Sequence, residues 1–120
     1  MQRSIRGAIT IDKDTKEEVV SATKELLQKM LAINDVNYDD IVNIIFTATT
    51  DIKSEFPAVA ARELGLINVP LIDCQQMMCK DSLELCIRVM LTYNTTKTQQ
   101  EVKHIYLRRA KILRPDLLKE

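Results

Sequence analysis

The feature that most constrains the fold is one long amphipathic segment, DTKEEVVSATKELLQKMLAIN, at residues 14–34. Apolar side chains recur in it at helical spacing while charged side chains fill the remaining positions. The stripe consists of Val19, Thr23, Leu26, Met30 and Ile33. Thr15 followed by Glu18 fits a capping box, and Asn34 is typical of a helix end. The sequence therefore predicts one long helix with a single apolar face.

The rest of the chain carries short runs that are typical of β-strands. Residues 4–11 alternate, with Ile5 and Ile9 on one side and Arg6 on the other. Further strands are predicted in the β-branched run VNIIFTATT, in NVPLID and in the alternating segment EVKHIYL. The segment CIRVMLTY fits a helix by its Met and Leu content and a strand by its alternation, and we interpret it as a strand. Pro57 favours the start of a short helix that ends before Gly65, and Asn37 is a candidate cap for a short turn at NYDD.

These elements amount to about five strands, one long helix and one short helix, which is the composition of an α+β domain. The 120 residues fit a single domain, 1–120, in which we expect 113–120 to be a mobile tail. Two helices of this kind cannot cover both faces of a five-stranded sheet. We therefore expect another subunit to bury the second face.

Charge and composition exclude several classes of function. Lys plus Arg and Asp plus Glu number 17 each, so the formal net charge is zero and a nucleic-acid or anionic-membrane surface is disfavoured. No segment approaches the roughly 18 uninterrupted apolar residues of a membrane span, and the N-terminus has no signal-peptide pattern. With only two glycines, phosphate-cradling loops are absent.

The cysteines point to a reducing compartment. Cys74, Cys79 and Cys86 are too few for a disulfide framework, and their spacing matches no zinc signature. We expect all three to be free thiols that behave as small buried side chains. A cytoplasmic protein without a metal site is the simplest interpretation.

Two arginines and a tyrosine stand on the less aliphatic sides of their strands: Arg6, Arg88 and Tyr106. If these sides coincide in one sheet, they form a surface for a small dianion, because a guanidinium donates two parallel hydrogen bonds to a carboxylate. Arg62 and Arg114 are further candidates from a helix and the tail. The alternative is that all of them are ordinary solvated side chains, and the residues alone leave both interpretations open.

A series of motifs extends along the whole chain: IRGAIT, DT-x-EE, TAT-x-D, FPA-x-A-x-REL, VP, CIRVM-x-T, H-x-YL-x-x-A and LRPDL. With these motifs in this order, the chain resembles the small trimeric, monofunctional chorismate mutases of bacteria. The resemblance implies a mixed sheet packed on the long helix, a homotrimer with a barrel-like centre, and active sites between subunits. It also implies the rearrangement of chorismate to prephenate in aromatic amino-acid biosynthesis, without a cofactor.

The resemblance further implies roles for individual residues. Arg88 is expected at the ether oxygen of the substrate, where negative charge develops as the C–O bond breaks. Arg6 and Tyr106 are expected to hold the side-chain carboxylate. The remaining substrate-binding positions are Phe56, Ala58, Arg62, Leu71, Ile72, Cys74, Gln75 and Gln76, with Leu113 and Arg114 from a tail that closes over the site.

The chain departs from the family pattern at three positions. Gln76 stands where the family usually has a glutamate near the substrate ring, and Asp73 stands where it usually has a cysteine. We hypothesise that Asp73 supplies the missing anion; the alternative is that it caps the turn after its strand. Val59 replaces a family lysine.

These departures keep a second interpretation open, a non-catalytic trimeric module that binds a carboxylate metabolite. A third, another trimeric enzyme such as an imine deaminase, is disfavoured by the ordered motifs.

Overall fold

The computed structural model describes residues 1–113. Its elements are β1 (Gln2–Thr10), α1 (Lys16–Ile33), a 3₁₀ turn (Tyr38–Asp40), β2 (Ile41–Ala48), α2 (Ala58–Glu63), β3 (Leu71–Gln75), β4 (Cys86–Asn94), β5 (Ile105–Tyr106) and a second 3₁₀ segment (Arg108–Leu113). The strands form one sheet in the order β3-β2-β4-β1-β5. The predicted α+β class, with a five-stranded sheet, one long helix and one short helix, is confirmed. Leu113, the first residue of the expected tail, belongs to the second 3₁₀ segment, while Arg114 and the other tail residues lie outside the described residues.

The sheet is mixed. Strand β4 pairs antiparallel with both β1 and β2, while β5 runs parallel to β1 and β3 runs parallel to β2. The segment CIRVMLTY, whose composition also fits a helix, is therefore a strand at the centre of the sheet, as its alternation predicts. A central position explains why β-branched and aliphatic residues prevail on one side of it.

The long helix begins and ends at the predicted residues. The Thr15 hydroxyl accepts a hydrogen bond from the Glu18 N–H at 3.1 Å. The reciprocal half of the capping box is absent, because the Glu18 carboxylate accepts from the N–H groups of Asp12 and Lys13 instead. The helix thus ties down the loop that leads into it, in addition to its own first turn.

Asn34 ends the helix and links it to the last strand. Its side-chain amide donates to the carbonyl of Met30 and to the carbonyl of Lys103, both at 2.9 Å. Its Oδ1 accepts from the Lys103 N–H at 2.8 Å. Asn34 is 1 % exposed, so these bonds satisfy a buried polar group and fix β5 beside the helix end.

Strand alternation divides the sheet into two faces. The face that packs on the helices, which we call the core face, carries Ile5, Ile9, Ile44, Phe46, Ile87, Val89 and Leu91, all 3 % exposed or less. Gly7 lies on this face, and a Cβ built there would stand 2.5 Å from Met30 Sδ. Helix α1 therefore approaches β1 closely because Gly7 has no side chain.

The opposite face, which we call the open face, is not covered by either helix. The register places Ser4, Arg6, Ala8, Ile45, Thr47, Ile72, Cys74, Arg88, Met90 and Tyr106 on it. Ile45 is 38 % exposed, Met90 43 % and Ile72 56 %. Apolar side chains at the middle of a sheet are normally buried, so this face is suited to contact with another chain.

The last strand is shorter than the predicted segment EVKHIYL. Only Ile105 and Tyr106 pair with β1. The pairing cannot continue upstream because the Arg6 N–H donates to the ring Nδ1 of His104, at 2.9 Å, rather than to a strand carbonyl. Downstream, Arg108 has a positive φ of 56°, which turns the chain out of the sheet.

The short helix and the preceding turn also follow the sequence closely. Helix α2 starts one residue after Pro57 and is followed by Gly65 in the left-handed region, at φ 97°. Asn37 occupies the cap position of the first 3₁₀ turn, but its side chain makes no capping hydrogen bond. No helix within residues 1–113 has the length and apolar content needed to cross a bilayer.

Candidate functional site

The sequence-predicted cations and the tyrosine meet on the open face. Arg6, Arg88 and Tyr106 line one cavity of about 430 Å³. The register explains this, because Ala8 is the neighbour of Arg88 on one side and of Tyr106 on the other. The small side chain of Ala8 leaves space between two large ones. The other residues that line this cavity, which we call the arginine cavity, are Gly7, Ile45, Thr47, Val89, Met90 and Leu113.

The arginine cavity is electropositive. Its described lining contains two guanidiniums and no carboxylate. The two ion pairs found within residues 1–113, Lys24–Glu63 and Arg108–Glu25, involve neither Arg6 nor Arg88. A cleft of one charge sign with apolar walls concentrates anions of complementary size. The geometry is that of a site for a small anion with carboxylate groups.

A hydrogen-bonded clamp holds the start of the strand that carries Arg88. The Asp51 carboxylate accepts from the Leu85 N–H, at 3.0 Å for the shorter bond, and from the Thr49 hydroxyl. The Thr49 hydroxyl oxygen in turn accepts from the Cys86 N–H at 3.1 Å. Leu85 has a positive φ of 48°, so the clamp maintains a backbone conformation that leucine rarely adopts. Sequence reasoning used the TAT-x-D motif only as part of a resemblance and missed this role.

The thiol beside this clamp is inert. Cys86 is fully buried, and burial raises the pKa of its thiol, an effect that nearby Arg88 and Arg109 only partly offset. A protonated, inaccessible thiol is a poor nucleophile. The expectation of a small buried side chain is confirmed for Cys86 and wrong for Cys74 and Cys79, which are exposed.

Four of the remaining predicted site residues line a second cavity of about 440 Å³: Phe56, Asp73, Cys74 and Gln75. Ala48, Pro57 and most of the loop between them complete its lining. Phe56 is 65 % exposed although it is a large aromatic side chain. We call this the α2 cavity, because it lies at the N-terminal end of that helix. Within one chain it does not share a described lining residue with the arginine cavity.

Asp73 lies on the core face, opposite Arg88. It pairs with Phe46, whereas Arg88 pairs with Thr47 on the other side of the sheet. Asp73 Oδ1 accepts from the Ala58 N–H at 3.0 Å and so caps α2, not the turn after its own strand. Burial raises the pKa of its carboxyl, while this hydrogen bond and Arg62 act in the opposite direction.

Gln76 presents an acceptor without a partner. Its N–H donates to the Ala48 carbonyl at 2.9 Å, which continues the pairing of β3 beyond its last residue. Its side-chain Oε1 is buried and has no hydrogen-bond partner within the described part of the chain. An unpaired buried carbonyl favours a ligand that donates to it.

Two predicted wall residues are part of the core instead. Ala58 is 1 % exposed, so its side chain does not line a cleft, and Leu71 packs against the core cluster. Ile72 is exposed on the open face, and Arg62 is exposed on α2 and does not line the arginine cavity. Val59, at the family's lysine position, borders a groove along α1 rather than either cavity. Residues 1–113 contain no group of three or more His, Cys, Asp or Glu side chains that is arranged to hold a metal ion.

Fold and site together define a class: a small α+β protein with an arginine-lined anion cavity on the open face of its sheet. The family model for chorismate mutase type I matches residues 2–117, and the chain belongs to that family. It is 48 % identical to chorismate mutase AroH of Thermus thermophilus, over 98 % of this chain and 97 % of that protein. It is 43 % identical to chorismate mutase AroH of Bacillus subtilis strain 168, over 98 % of this chain and 93 % of that protein.

A solved structure agrees with the assignment. The chorismate mutase from Clostridium thermocellum superposes with a TM-score of 0.90 at 43 % identity, covering 92 % of this chain and 98 % of that one. The family resemblance read from the motifs is therefore confirmed.

Proposed function

We propose that this protein is an isomerase that converts chorismate to prephenate, and the arginine cavity carries the proposal. Chorismate has two carboxylates and rearranges in a single pericyclic step. The step needs no nucleophile and no proton transfer, so a protein accelerates it by holding a compact conformer and by stabilising charge in the transition state. The cavity offers fixed cations and a phenol in walls that are otherwise apolar.

In this mechanism Arg88 meets the ether oxygen. That oxygen becomes partly negative as its bond to carbon stretches, and a guanidinium already in place stabilises it without reorganisation. The clamp formed by Asp51 and Thr49 holds the backbone just before Arg88, which keeps the donor in position. Arg6 on β1 and Tyr106 on β5 bind the side-chain carboxylate of chorismate.

The second half of the site comes from a neighbouring subunit in this proposal. The arginine cavity of one chain faces the α2 cavity of the next, so that Phe56, Cys74 and Gln75 close the cleft opposite Arg88. The uncovered apolar side chains Ile45 and Met90 support such an assembly. A homotrimer repeats the arrangement three times and leaves no open face unpaired.

Polar groups at the far side of the cleft complete the recognition of the substrate. The unpartnered Gln76 Oε1 accepts from the ring hydroxyl of chorismate. Asp73 supplies an anion near the ring, across the subunit interface, while one of its oxygens remains bonded to Ala58. We further propose that the protein is cytoplasmic, which its three free cysteines support.

The direct test is the loss of chorismate absorbance on addition of purified protein, with Arg88→Ala as the matched inactive variant. Sedimentation equilibrium on the same samples measures the assembly. Turnover by a trimer supports the proposal. Binding of chorismate without turnover supports the alternative of a carboxylate-binding module, which the substitutions at Gln76 and Val59 keep open.

A further inference from the structure

The side-chain hydroxyl of Thr47, on β2, takes no part in the hydrogen bonding of the described fold. Its Oγ1 is buried and has no hydrogen-bond partner within residues 1–113. Burial of a polar atom without a partner costs free energy, so such atoms are uncommon unless a ligand or a bound group satisfies them. Thr47 is the first residue of the TAT-x-D motif, but neither that motif nor the charge pattern of the sequence assigned it a role of its own.

Four other serine and threonine hydroxyls in or beside the sheet are satisfied. The buried Tyr93 hydroxyl also has no partner within residues 1–113, but it belongs to the core cluster and does not line the arginine cavity. Ser4 and Thr92, both on the open face, share a hydrogen bond of 2.9 Å. The Thr49 hydroxyl bonds to Asp51 and Cys86, and the Thr10 hydroxyl accepts from the Arg109 N–H at 3.3 Å. Thr47 differs from these in lining the arginine cavity. The unsatisfied hydroxyl and the anion site therefore coincide.

The register brings Thr47 next to Arg88. The two residues are direct partners in the β2–β4 ladder, on the open face. Side chains of such partners have Cβ atoms roughly 5 Å apart, close enough for both to contact one ligand atom. Thr47 Oγ1 is shielded from solvent in the free subunit, so the ligand reaches it only when one of the groups around it shifts.

We propose that the Thr47 hydroxyl is a second hydrogen-bond donor to the substrate oxygen that Arg88 meets. The inference rests on the proposed function, because that oxygen is the ether oxygen whose bond breaks. Arg88 supplies charge and Thr47 a neutral donor from the adjacent strand, so the two approach the oxygen from neighbouring positions. A donor shielded from water is more effective than an exposed one, because solvent does not compete for it.

The test compares Thr47→Val, which keeps the branched shape and removes the hydroxyl, with Thr47→Ser, which keeps the hydroxyl. We expect kcat of the Val variant to fall roughly 10- to 100-fold with KM within about twofold, since the bond strengthens only as charge develops. The Ser variant is expected to retain most of the wild-type rate. Thr92→Val, which breaks the bond to Ser4 on the same face, serves as the control and keeps wild-type kinetics.

The unfolding midpoint of Thr47→Val distinguishes a role in catalysis from a role in stability. Removal of an unsatisfied buried hydroxyl leaves the unfolding midpoint of Thr47→Val unchanged or raises it, whereas a structural role predicts a lower midpoint. Wild-type kinetics in Thr47→Val overturn the proposal, as does a rise in KM with kcat unchanged, which would place the hydroxyl on a ground-state carboxylate. An inactive wild-type protein refutes the proposed function itself and is distinguished by being measured first.

Discussion

The two faces of the sheet are built from the same strands and follow different rules. On the core face, Ile5, Phe46 and Val89 are buried against α1 and α2, and almost every position is apolar. On the open face, the intervening positions hold Arg6, Arg88 and Tyr106, and apolar neighbours such as Met90 stay exposed. One face is closed by α1 and α2. On the other face the described chain leaves Met90 and Arg88 exposed, and our proposal places a ligand and a second chain there.

In this fold the residues that determine stability and the residues proposed to act on the substrate lie mostly on different faces of the sheet. A change on the core face alters packing density, because side chains there meet α1 at van der Waals distance. A change at the exposed Arg88 alters the charge and hydrogen bonding of the arginine cavity without removing a buried side chain. Ala8 and Tyr106, on the same face, pack in a small second cluster with Cys86 and Ala110. The period of two in each strand thus assigns consecutive residues to separate tasks.

The largest expected effect is on the open face, at Arg88. We expect Arg88→Ala to lower kcat about 100- to 1000-fold, equivalent to roughly 3–4 kcal/mol, because a fixed donor at the developing charge is lost. The unfolding free energy should change little, since the side chain is exposed. Steady-state kinetics checks the fall in kcat, and urea unfolding checks the unfolding free energy. Lys29→Ala, which removes an exposed cation from α1, is the control; a similar loss of turnover there would contradict a specific role.

Alternation made the sheet predictable from the sequence. The positions of Arg6, Arg88 and Tyr106 followed from the aliphatic neighbours of each, and the structure confirms that the three sides coincide. The long helix was predictable for the same reason, since its period and both caps are local signals. Fold class and the cationic half of the site are thus contained in short-range patterns.

Other features depend on contacts between distant segments, which no periodicity encodes. Ala58 lies in the core, at the start of a helix that is capped by Asp73 from a strand further along the chain. Strand β5 stops short because the His104 ring binds the backbone of Arg6. The solvent exposure of Cys74 and Cys79 is likewise set by tertiary placement, and residue type alone predicted the opposite.

On the core face the expected effect is on stability. We expect Gly7→Ala to cost about 1–3 kcal/mol, because the new methyl group meets the ends of Met30 and Leu26 and these buried side chains must repack. Ser4→Ala, on the open face of the same strand, removes the bond to Thr92 and should cost about 1 kcal/mol or less. Urea unfolding with a shared m-value compares them. Equal costs would mean that the two faces do not differ in packing.

The smallest effect on stability is expected at Asp73, a carboxylate on the core face that also borders the α2 cavity. Asp73→Asn keeps an oxygen for the Ala58 N–H, so α2 remains capped. In our proposal turnover falls roughly tenfold, because the anion near the ring is lost. Glu101→Gln, which alters an exposed carboxylate bonded to Thr98, serves as the control. Unchanged turnover in Asp73→Asn would restrict the carboxylate to its capping role.

The stability of Asp73→Asn relative to wild type should also depend on pH. The pKa of Asp73 is raised above 3.8 in the folded chain, so the folded state binds this proton more tightly than the unfolded state. The resulting stabilisation is complete below the unfolded pKa and is lost as the pH rises through the folded pKa. At neutral pH the ionised Asp73 therefore lowers the unfolding free energy slightly, and Asp73→Asn removes this effect.

We expect the variant to be more stable than wild type by less than about 1 kcal/mol near pH 7, since the group is only partly buried. The gain should decline as the pH falls through the folded pKa and vanish well below 3.8, where Asp73 is protonated in both states. Urea midpoints measured across this range check the sign, and a gain that grows in acid would contradict burial as the cause.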